Sequence, residues 1–318
     1  MPIPLLRLPL LVLDEVIKAM QCRQLFILSL CSKRMHLAVK YLRYKSIEST
    51  LYLSCGDGSR ISLYGMPWTQ RITLIVEQMS DVKPEGWRTD QLEGVLFQQH
   101  DYKLNSYCEN VQDGTRRLVE YISDLFSAPI GEVSIYQNHG LWILDWVEKR
   151  QGARTYEVCI DRHTTLTDDD FRHLLVGVNP KRLNLDKTPS ENFRIENFDK
   201  KYDVFRLRYG NWLTGQHLLT LDCIEMHLYM ITFTATDINR FLRHALIQGG
   251  APRLTYFRAR VRFGDENRVL DGIRGVLAEE QFEDDDSAWS FEGKFERGGQ
   301  SMNAEIFYSS GRILFYIR

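Results

Sequence analysis

From residue 113 onward, apolar runs of strand length alternate with amphipathic helical ones, and this alternation constrains the fold of the 318-residue chain more than any other feature. Helices are expected at 114–127, 140–149, 168–177, 236–248 and 266–276, and strands at 132–136, 155–160, 182–186, 204–209, 224–230 and 254–263. Strand centres fall about 20–30 residues apart, the spacing of leucine-rich and related solenoid repeats. Thr167-Asp168-Asp169-Asp170-Phe171 and Thr234-Ala235-Thr236-Asp237-Ile238 both read T-x-x-D followed by an apolar residue, a helix capping box with Asp in the place of Glu. Each leads through a helix to a proline and a strand, Pro180 before Leu183-Asn184-Leu185 and Pro252 before Leu254-Thr255-Tyr256-Phe257. The expected fold class is α+β: a three-helix module followed by a degenerate leucine-rich-repeat-like α/β solenoid with flanking β-hairpins, preferred over a doubly wound sheet.

The flanks read less evenly. Leu51-Tyr52-Leu53 and Ile61-Ser62-Leu63-Tyr64 enclose a glycine-rich turn and predict a hairpin, and Ile72-Thr73-Leu74-Ile75-Val76 predicts a further strand. The polar stretch 83–110, with Pro84-Glu85-Gly86, reads as largely loop. At the other end, Ile306-Phe307-Tyr308 and Ile313-Leu314-Phe315-Tyr316-Ile317 flank Ser310-Gly311-Arg312, a hairpin expected to cover the last apolar face of the stack.

The first residues contain Leu8-Pro9-Leu10-Leu11-Val12-Leu13, which has the look of a secretion signal. Pro2, Pro4 and Pro9 interrupt it, Arg7 lies inside it and no small-x-small cleavage site follows, so export is not expected and the segment is read as structure. Leu13, Val16, Ile17 and Met20 form the i, i+3, i+4, i+7 stripe of an amphipathic helix entered at Pro9. Residues 25–30 are apolar nearly all round, as in a helix held between two partners, and Ser32 caps a third stripe of Met35, Ala38, Val39 and Leu42. Three helices in about 40 residues are marginal alone, so the module is expected to lean on a partner. Residues 1–48 carry eight Lys and Arg against three Asp and Glu, which favours an acidic partner surface.

Leu8-Pro9, Val12, Val16-Ile17, Met20, Leu25-Phe26, Leu28-Ser29 and Ser32-Lys33-Arg34-Met35 together resemble the F-box motif, particularly its nematode form, from about Pro4 to Lys40. The resemblance implies docking to a Skp-type adaptor, and through it to the cullin and RING subunits of a ubiquitin ligase. Leu8, Pro9, Val12, Ile17, Met20, Leu25 and Leu28 would be divided between that contact and the module's own core. A second stretch, Asn197-Phe198, Leu219-Thr220-Leu221-Asp222-Cys223, residues 233–242 and Gly250-Ala251-Pro252-Arg253-Leu254, resembles the F-box-associated domain of the same nematode family over about 193–263. One departure is Ala245, where that family often has Trp. The implied organisation is an F-box at 1–46, a connecting β-rich segment at 47–112, and a substrate-binding α/β domain at 113–318 that includes the F-box-associated region and the terminal hairpin.

Nothing in the sequence points to catalysis, a cofactor or a metal. A net charge of −2 argues against a dedicated nucleic-acid binder, and no run of eighteen apolar residues suggests a membrane span. Six scattered cysteines without a C-x-x-C pair read as buried thiols of a reducing compartment, the cytoplasm with the nucleus also open. His163 and His173 lack a third ligand, and Gly56-Asp57-Gly58-Ser59 lacks the lysine of a phosphate loop. Asp168-Asp169-Asp170 suits a helix N-terminus, and Glu283-Asp284-Asp285-Asp286 reads as a solvated loop.

The informative pattern is strand alternation. Thr255, Phe257, Ala259, Val261 and Phe263 share one face and Tyr256, Arg258, Arg260 and Arg262 the other; Arg206 and Arg208 alternate with Phe205, Leu207 and Tyr209; Glu225, His227 and Tyr229 alternate with Ile224, Met226, Leu228 and Met230. Side by side, these polar faces form one surface rich in Arg and Tyr, residue types enriched at binding hot spots, which is expected to select a protein substrate through an acidic patch. The expected function is the non-catalytic substrate-recognition subunit of an SCF-type cullin-RING E3 ubiquitin ligase. The other reading is a non-ligase module that binds and sequesters a partner protein.

Overall fold

Apolar alternation is clear along strands such as Ser49–Cys55, Glu157–Ile160, Tyr256–Val261 and Arg312–Ile317, where every second side chain is buried. The computed structural model describes residues 5–43, 49–65, 71–79, 85–100, 103–137, 140–152, 154–196, 198–262, 268–273, 280–282, 288–297 and 300–318. They form two compact units, residues 1–155 and 156–318. Helices and mixed sheet occur in both. Among the described residues no helix is long and apolar enough to cross a membrane.

The first unit begins with α1 (Leu10–Ala19), α2 (Cys22–Ser29) and α3 (Lys33–Leu42). Pro9 precedes α1, Gln21 and Gln24 close a capping box on α2, and the Ser32 hydroxyl accepts the Met35 N–H at the start of α3. Then come β1 (Ser49–Cys55), β2 (Ser59–Gly65), β3 (Arg71–Gln78), β4 (Trp87–Arg88), β5 (Leu96–His100), β6 (Lys103–Cys108), α4 (Val111–Phe126), β7 (Ile130–Ile135) and α5 (Trp142–Gln151). Sheet order is β7-β1-β2-β3-β6-β5-β4, with β1/β7 and β3/β6 parallel and the remaining pairs antiparallel. The predicted hairpin is β1/β2. The stretch read as largely loop contributes three strands, β4, β5 and β6. Its ladder runs from Leu96↔Tyr107 to His100↔Lys103. Its polarity is satisfied by hydrogen bonds, Ser106 donating to the Ile75 carbonyl at 2.9 Å and Tyr107 to Gln98 at 3.1 Å, so composition concealed the pairing. Helix α4 lies close on β6: a Cβ at Gly114 would fall 2.3 Å from the Cys108 sulfur.

The three helices find their support within the first unit. Phe26, fully buried, meets Phe97 and Tyr121 edge to face at 6.2 and 5.9 Å. The Tyr121 hydroxyl donates to Ser29 at 2.9 Å, and its pKa is pushed up to about 12 by burial. Asp124 on α4 pairs with Lys40 and with His36 at 3.0 Å, and these bonds, Lys40 first, hold its carboxyl below the ordinary range. Buried Arg43 donates to the Leu125 carbonyl at 2.6 Å and to Ser127 at 2.9 Å. Part of the module's positive charge is thus matched by α4 rather than left for a partner. The expected boundary at residue 46 falls at 44–48, outside the described residues.

The second unit contains β8 (Glu157–Ile160), α6 (Asp168–Arg172), β9 (Arg182–Leu185), β10 (Lys201–Leu207), α7 (Gly215–Thr220), β11 (Asp222–Phe233), α8 (Ala235–Leu246), β12 (Tyr256–Val261), β13 (Glu280–Phe282), β14 (Ala288–Arg297), β15 (Gln300–Ser309) and β16 (Arg312–Ile317). Strands β8 to β12 are parallel neighbours in chain order. The predicted terminal hairpin, β15/β16, takes the free edge of β12 in antiparallel sense, and β14 and β13 extend the sheet. One row of buried side chains runs in register across eight strands: Val158, Leu183, Phe205, Met226, Phe257, Phe315, Ile306 and Phe291.

Successive turns of this unit are tied at a separation of 22 residues: Asp168–Ser190, Arg172–Arg194 carbonyl, Asp186–Arg208, Ile195 carbonyl–His217 and Phe198 carbonyl–Thr220. Both T-x-x-D capping boxes form, Thr167 with Asp170 and Thr234 with Asp237. The helix expected at 168–177 passes after Arg172 into a π-helical turn at His173–Gly177. The helix expected at 266–276 does not form over 268–273, which are turns. The Asn239 amide donates to the Val269 and Asp271 carbonyls at 2.8 Å each, and Gly272 adopts φ +69°. Residues 263–267, 274–279 and the acidic loop 283–286 lie outside the described residues.

Removing the α8 cap isolates one of these sequence signals. Thr234→Ala is expected to lower stability by about 1 kcal/mol without changing the denaturant dependence, read as a shift of the urea midpoint at constant slope.

Candidate protein-interaction surfaces

Helix α1 presents two different faces. Leu13 and Ile17, one turn apart, are buried, while Leu10 and Leu11 in its first turn are 69% and 80% exposed, with Leu6 and Val12 also exposed. Pro9 enters the helix without a side-chain cap, and exposed Arg7 lies between Leu6 and Leu10. Contiguous apolar exposure of this kind marks an interaction site rather than an ordinary surface. Of the residues that the motif resemblance implicates, Pro9 and Val12 are exposed, Leu8, Met20 and Leu28 half-buried, and Ile17 and Leu25 inside the module. Leu10 and Leu11, the most exposed of all, belong to the apolar segment Leu8–Leu13 but not to the residues singled out within it, because an apolar side chain in a stripe gives no sign of which side it faces.

The second surface is the open face of the parallel sheet in the second unit. Register places Asn184, Arg206, His227 and Arg258 in one row, and Arg182, Val204, Glu225 and Tyr256 in the next. Charges alternate along it: Glu157 pairs with Arg182 at 3.3 Å and Glu225 with His227 at 3.1 Å and Arg206 at 4.0 Å. Aromatic rings then take over. His227 lies 4.6 Å from Tyr256 and stacks on Tyr229, Arg258 sits 4.8 Å over the Tyr229 ring, and Tyr256 meets Tyr316 at 5.0 Å, with Phe307 beyond. Each cation–π contact of this sort is worth about 0.5–2 kcal/mol, which holds the guanidinium in one place.

The sequence-predicted residues Arg206, Glu225, His227, Tyr229, Tyr256 and Arg258 are therefore brought together. Arg208 is turned to Asp186 at 3.0 Å, and Arg260 and Arg262 continue the row past Arg258. Arg312, directly opposite Arg260 across the β12/β16 ladder, was not anticipated, nor were Arg182, Tyr316 and Phe307. Placing Arg312, Tyr316 and Phe307 requires the antiparallel pairing of segments about fifty residues apart, which no local pattern carries.

Burial lowers the His227 pKa below its ordinary value of 6.5, with the Glu225 hydrogen bond opposing and Arg206 and Arg258 adding to the shift. His217, bonded to the Ile195 carbonyl, is lowered by burial too. Burial pushes the thiols of Cys55 and Cys223 up to about 12 and that of Cys108 to about 11, so they are unreactive thiols packed in the core. Among the described residues no three His, Cys, Asp or Glu side chains gather at metal-binding distance. What the two surfaces can do chemically is bind.

Known proteins resemble this chain in part. A family model described as F-box associated matches residues 191–259, which covers β10 to β12 with α7 and α8 and does not extend to the N-terminal helices. Over 257 residues the chain is 25% identical to the Caenorhabditis elegans protein named Uncharacterized protein F59B2.9, covering 74% of this chain and 57% of that relative. The chain thus spans little more than half the length of the curated relative it matches. No solved structure matches it significantly. At the position where the family resemblance has Trp, Ala245 is completely buried on α8.

A histidine whose folded pKa lies below its unfolded value binds more protons when unfolded, so its stabilisation is present above 6.5 and is lost as pH falls through the window beneath it. Stability to urea is expected to decline as pH falls below 6.5, with His227→Gln removing part of that slope; Asp124 acts only in the lower, carboxylate range.

Proposed function

We propose that this chain is the substrate-recognition subunit of an SCF-type cullin-RING E3 ubiquitin ligase. Residues 1–46 act as an F-box that docks a Skp-type adaptor, residues 47–112 connect, and residues 113–318 form a degenerate leucine-rich-repeat-like stack that holds a protein target. The match to the F-box associated family over residues 191–259 supports the reading, as do parallel strands in chain order tied every 22 residues. The observation that carries it is the exposure of Leu6, Leu10, Leu11 and Val12, with Leu37 and Tyr41 on α3, on a helical module whose Leu13, Ile17, Phe26 and Val39 are buried.

The mechanism is positional. The chain supplies no nucleophile or acid–base pair to the transfer of ubiquitin. It holds target lysines near the loaded enzyme and raises their effective concentration. Adaptor docking draws on apolar burial, about 1.5–3 kcal/mol for each leucine side chain covered. Target binding uses Arg182, Arg206, Arg208, Glu225, His227, Tyr229, Tyr256, Arg258, Arg260 and Arg262 on the open sheet face. The reading carries a reducing, intracellular location with it.

Co-expression with a Skp-type adaptor and co-purification is the test. The full chain is expected to bring the adaptor down, and Leu10→Asp with Leu11→Asp is expected to weaken association by about tenfold or more while the thermal unfolding profile is kept, since neither side chain is part of the core. Association that is absent, or indifferent to these substitutions and to changes at Leu8 and Pro9, counts against the docking assignment and favours a sequestering module.

A further inference from the structure

On the open face of the parallel sheet, arginines with a carboxylate partner give way to arginines with none among the described residues. Arg182, Arg206, Arg208 and Arg253 each have a carboxylate: Glu157, Glu225, Asp186, and Asp203 with Asp222. Arg258 and Arg260 on β12, Arg262 just past its end and Arg312 on β16 have none among the described residues. Two described acids of the same face are engaged elsewhere, Glu225 with His227 and Arg206, and Glu305 with Arg318 at 2.9 Å. Arg260 and Arg312 are direct cross-strand partners, an arrangement in which like charges repel. Among the described residues no carboxylate offsets this repulsion, and a bound anion would.

The spacing selects the kind of anion. Arg258 and Arg260 occupy alternate positions of β12 and Arg262 follows its last residue, so the backbone positions of the first two lie about 6.6 Å apart, the interval between same-side residues of any extended peptide. A row matches carboxylates on every second residue; a single phosphate would need the guanidinium groups to converge on one point. Beside the row, Tyr229, Tyr256, Tyr316 and Phe307 offer an aromatic wall. We propose that the arginine row Arg258–Arg260–Arg262 with Arg312 binds an extended acidic segment of a partner protein, its glutamates or aspartates alternating with small or apolar residues. That the partner is a ligase target rests on the function proposed above; the binding itself does not.

The experiment uses the full chain and a fluorescein-labelled peptide of alternating glutamate and serine, read by anisotropy. Micromolar or tighter binding is expected, weakening steeply with added salt. Arg260→Glu with Arg312→Glu is expected to reduce affinity by about tenfold or more. Arg312→Glu alone turns the repelling pair into an attracting one, so the fold is kept and binding still falls. Arg240→Glu, the same charge change on the exposed side of α8, is expected to leave binding as it was. The proposal is overturned if the all-serine peptide binds as well or if the double reversal is without effect. Equal binding by a neutral peptide with one phosphoserine, or by an oligonucleotide of matched charge, overturns it too. Adaptor co-purification is measured on the same samples: its loss with peptide binding intact counts against the ligase reading alone.

Discussion

The second unit depends on one constraint, the register that keeps Val158, Leu183, Phe205, Met226, Phe257, Phe315, Ile306 and Phe291 in a single buried row across eight strands. Because strand side chains alternate, a slip of one residue at any ladder would turn every apolar group of that strand outward. The same alternation leaves no freedom on the opposite face. Arg206, His227 and Arg258 are aligned because Phe205, Met226 and Phe257 must be. The open face is thus a by-product of core packing in its geometry, and only its chemistry was free to vary. That chemistry changes midway, from carboxylate–arginine pairs at β8 to β11 to arginines at β12 and β16 that have no acid partner among the described residues.

A comparable division of roles runs through the N-terminal helices. The inward side is fixed by Phe26 against Phe97 and Tyr121, and by Arg43 reaching the Leu125 carbonyl. A module too small to hold itself is thereby made rigid by α4, which removes the need for an outside partner to fold it. The outward side, Leu10 and Leu11, does not contribute to that stability. Exposed leucines on a rigid helix lose little conformational freedom when covered, so most of their burial energy is available for association.

Much of this was legible beforehand where the signal is local. Ser32 and the two T-x-x-D boxes specify their helix starts through hydrogen bonds three residues long, and each is found as read. Alternation predicted which side of β12 is buried. Legibility failed where the deciding partner is distant. Polar strands β5 and β6 were taken for loop because their hydroxyls and amides are satisfied across the ladder. The 22-residue ties pass through backbone carbonyls of Arg194, Ile195 and Phe198, which leave no mark on residue type. Arg312 belongs to the charged row only because β16 pairs with β12. Ile17 and Leu11 are equally apolar in sequence, and tertiary packing alone sends one inside and the other out.

The two surfaces answer to different forces, and ionic strength separates them. Covering leucine is insensitive to salt at ordinary concentrations, or is strengthened by excluded salts. Attraction between separated surface charges is screened within about 8 Å at physiological ionic strength. If Leu10 and Leu11 dock one partner and the arginine row another, raising salt should release whatever sits on Arg258, Arg260 and Arg312 while the N-terminal association persists. Co-purification of both partners across a salt series measures this directly. Coincident loss of the two would mean that the N-terminal contact is itself electrostatic, carried by exposed Arg7, Lys33 and Arg34 rather than by the leucine ridge.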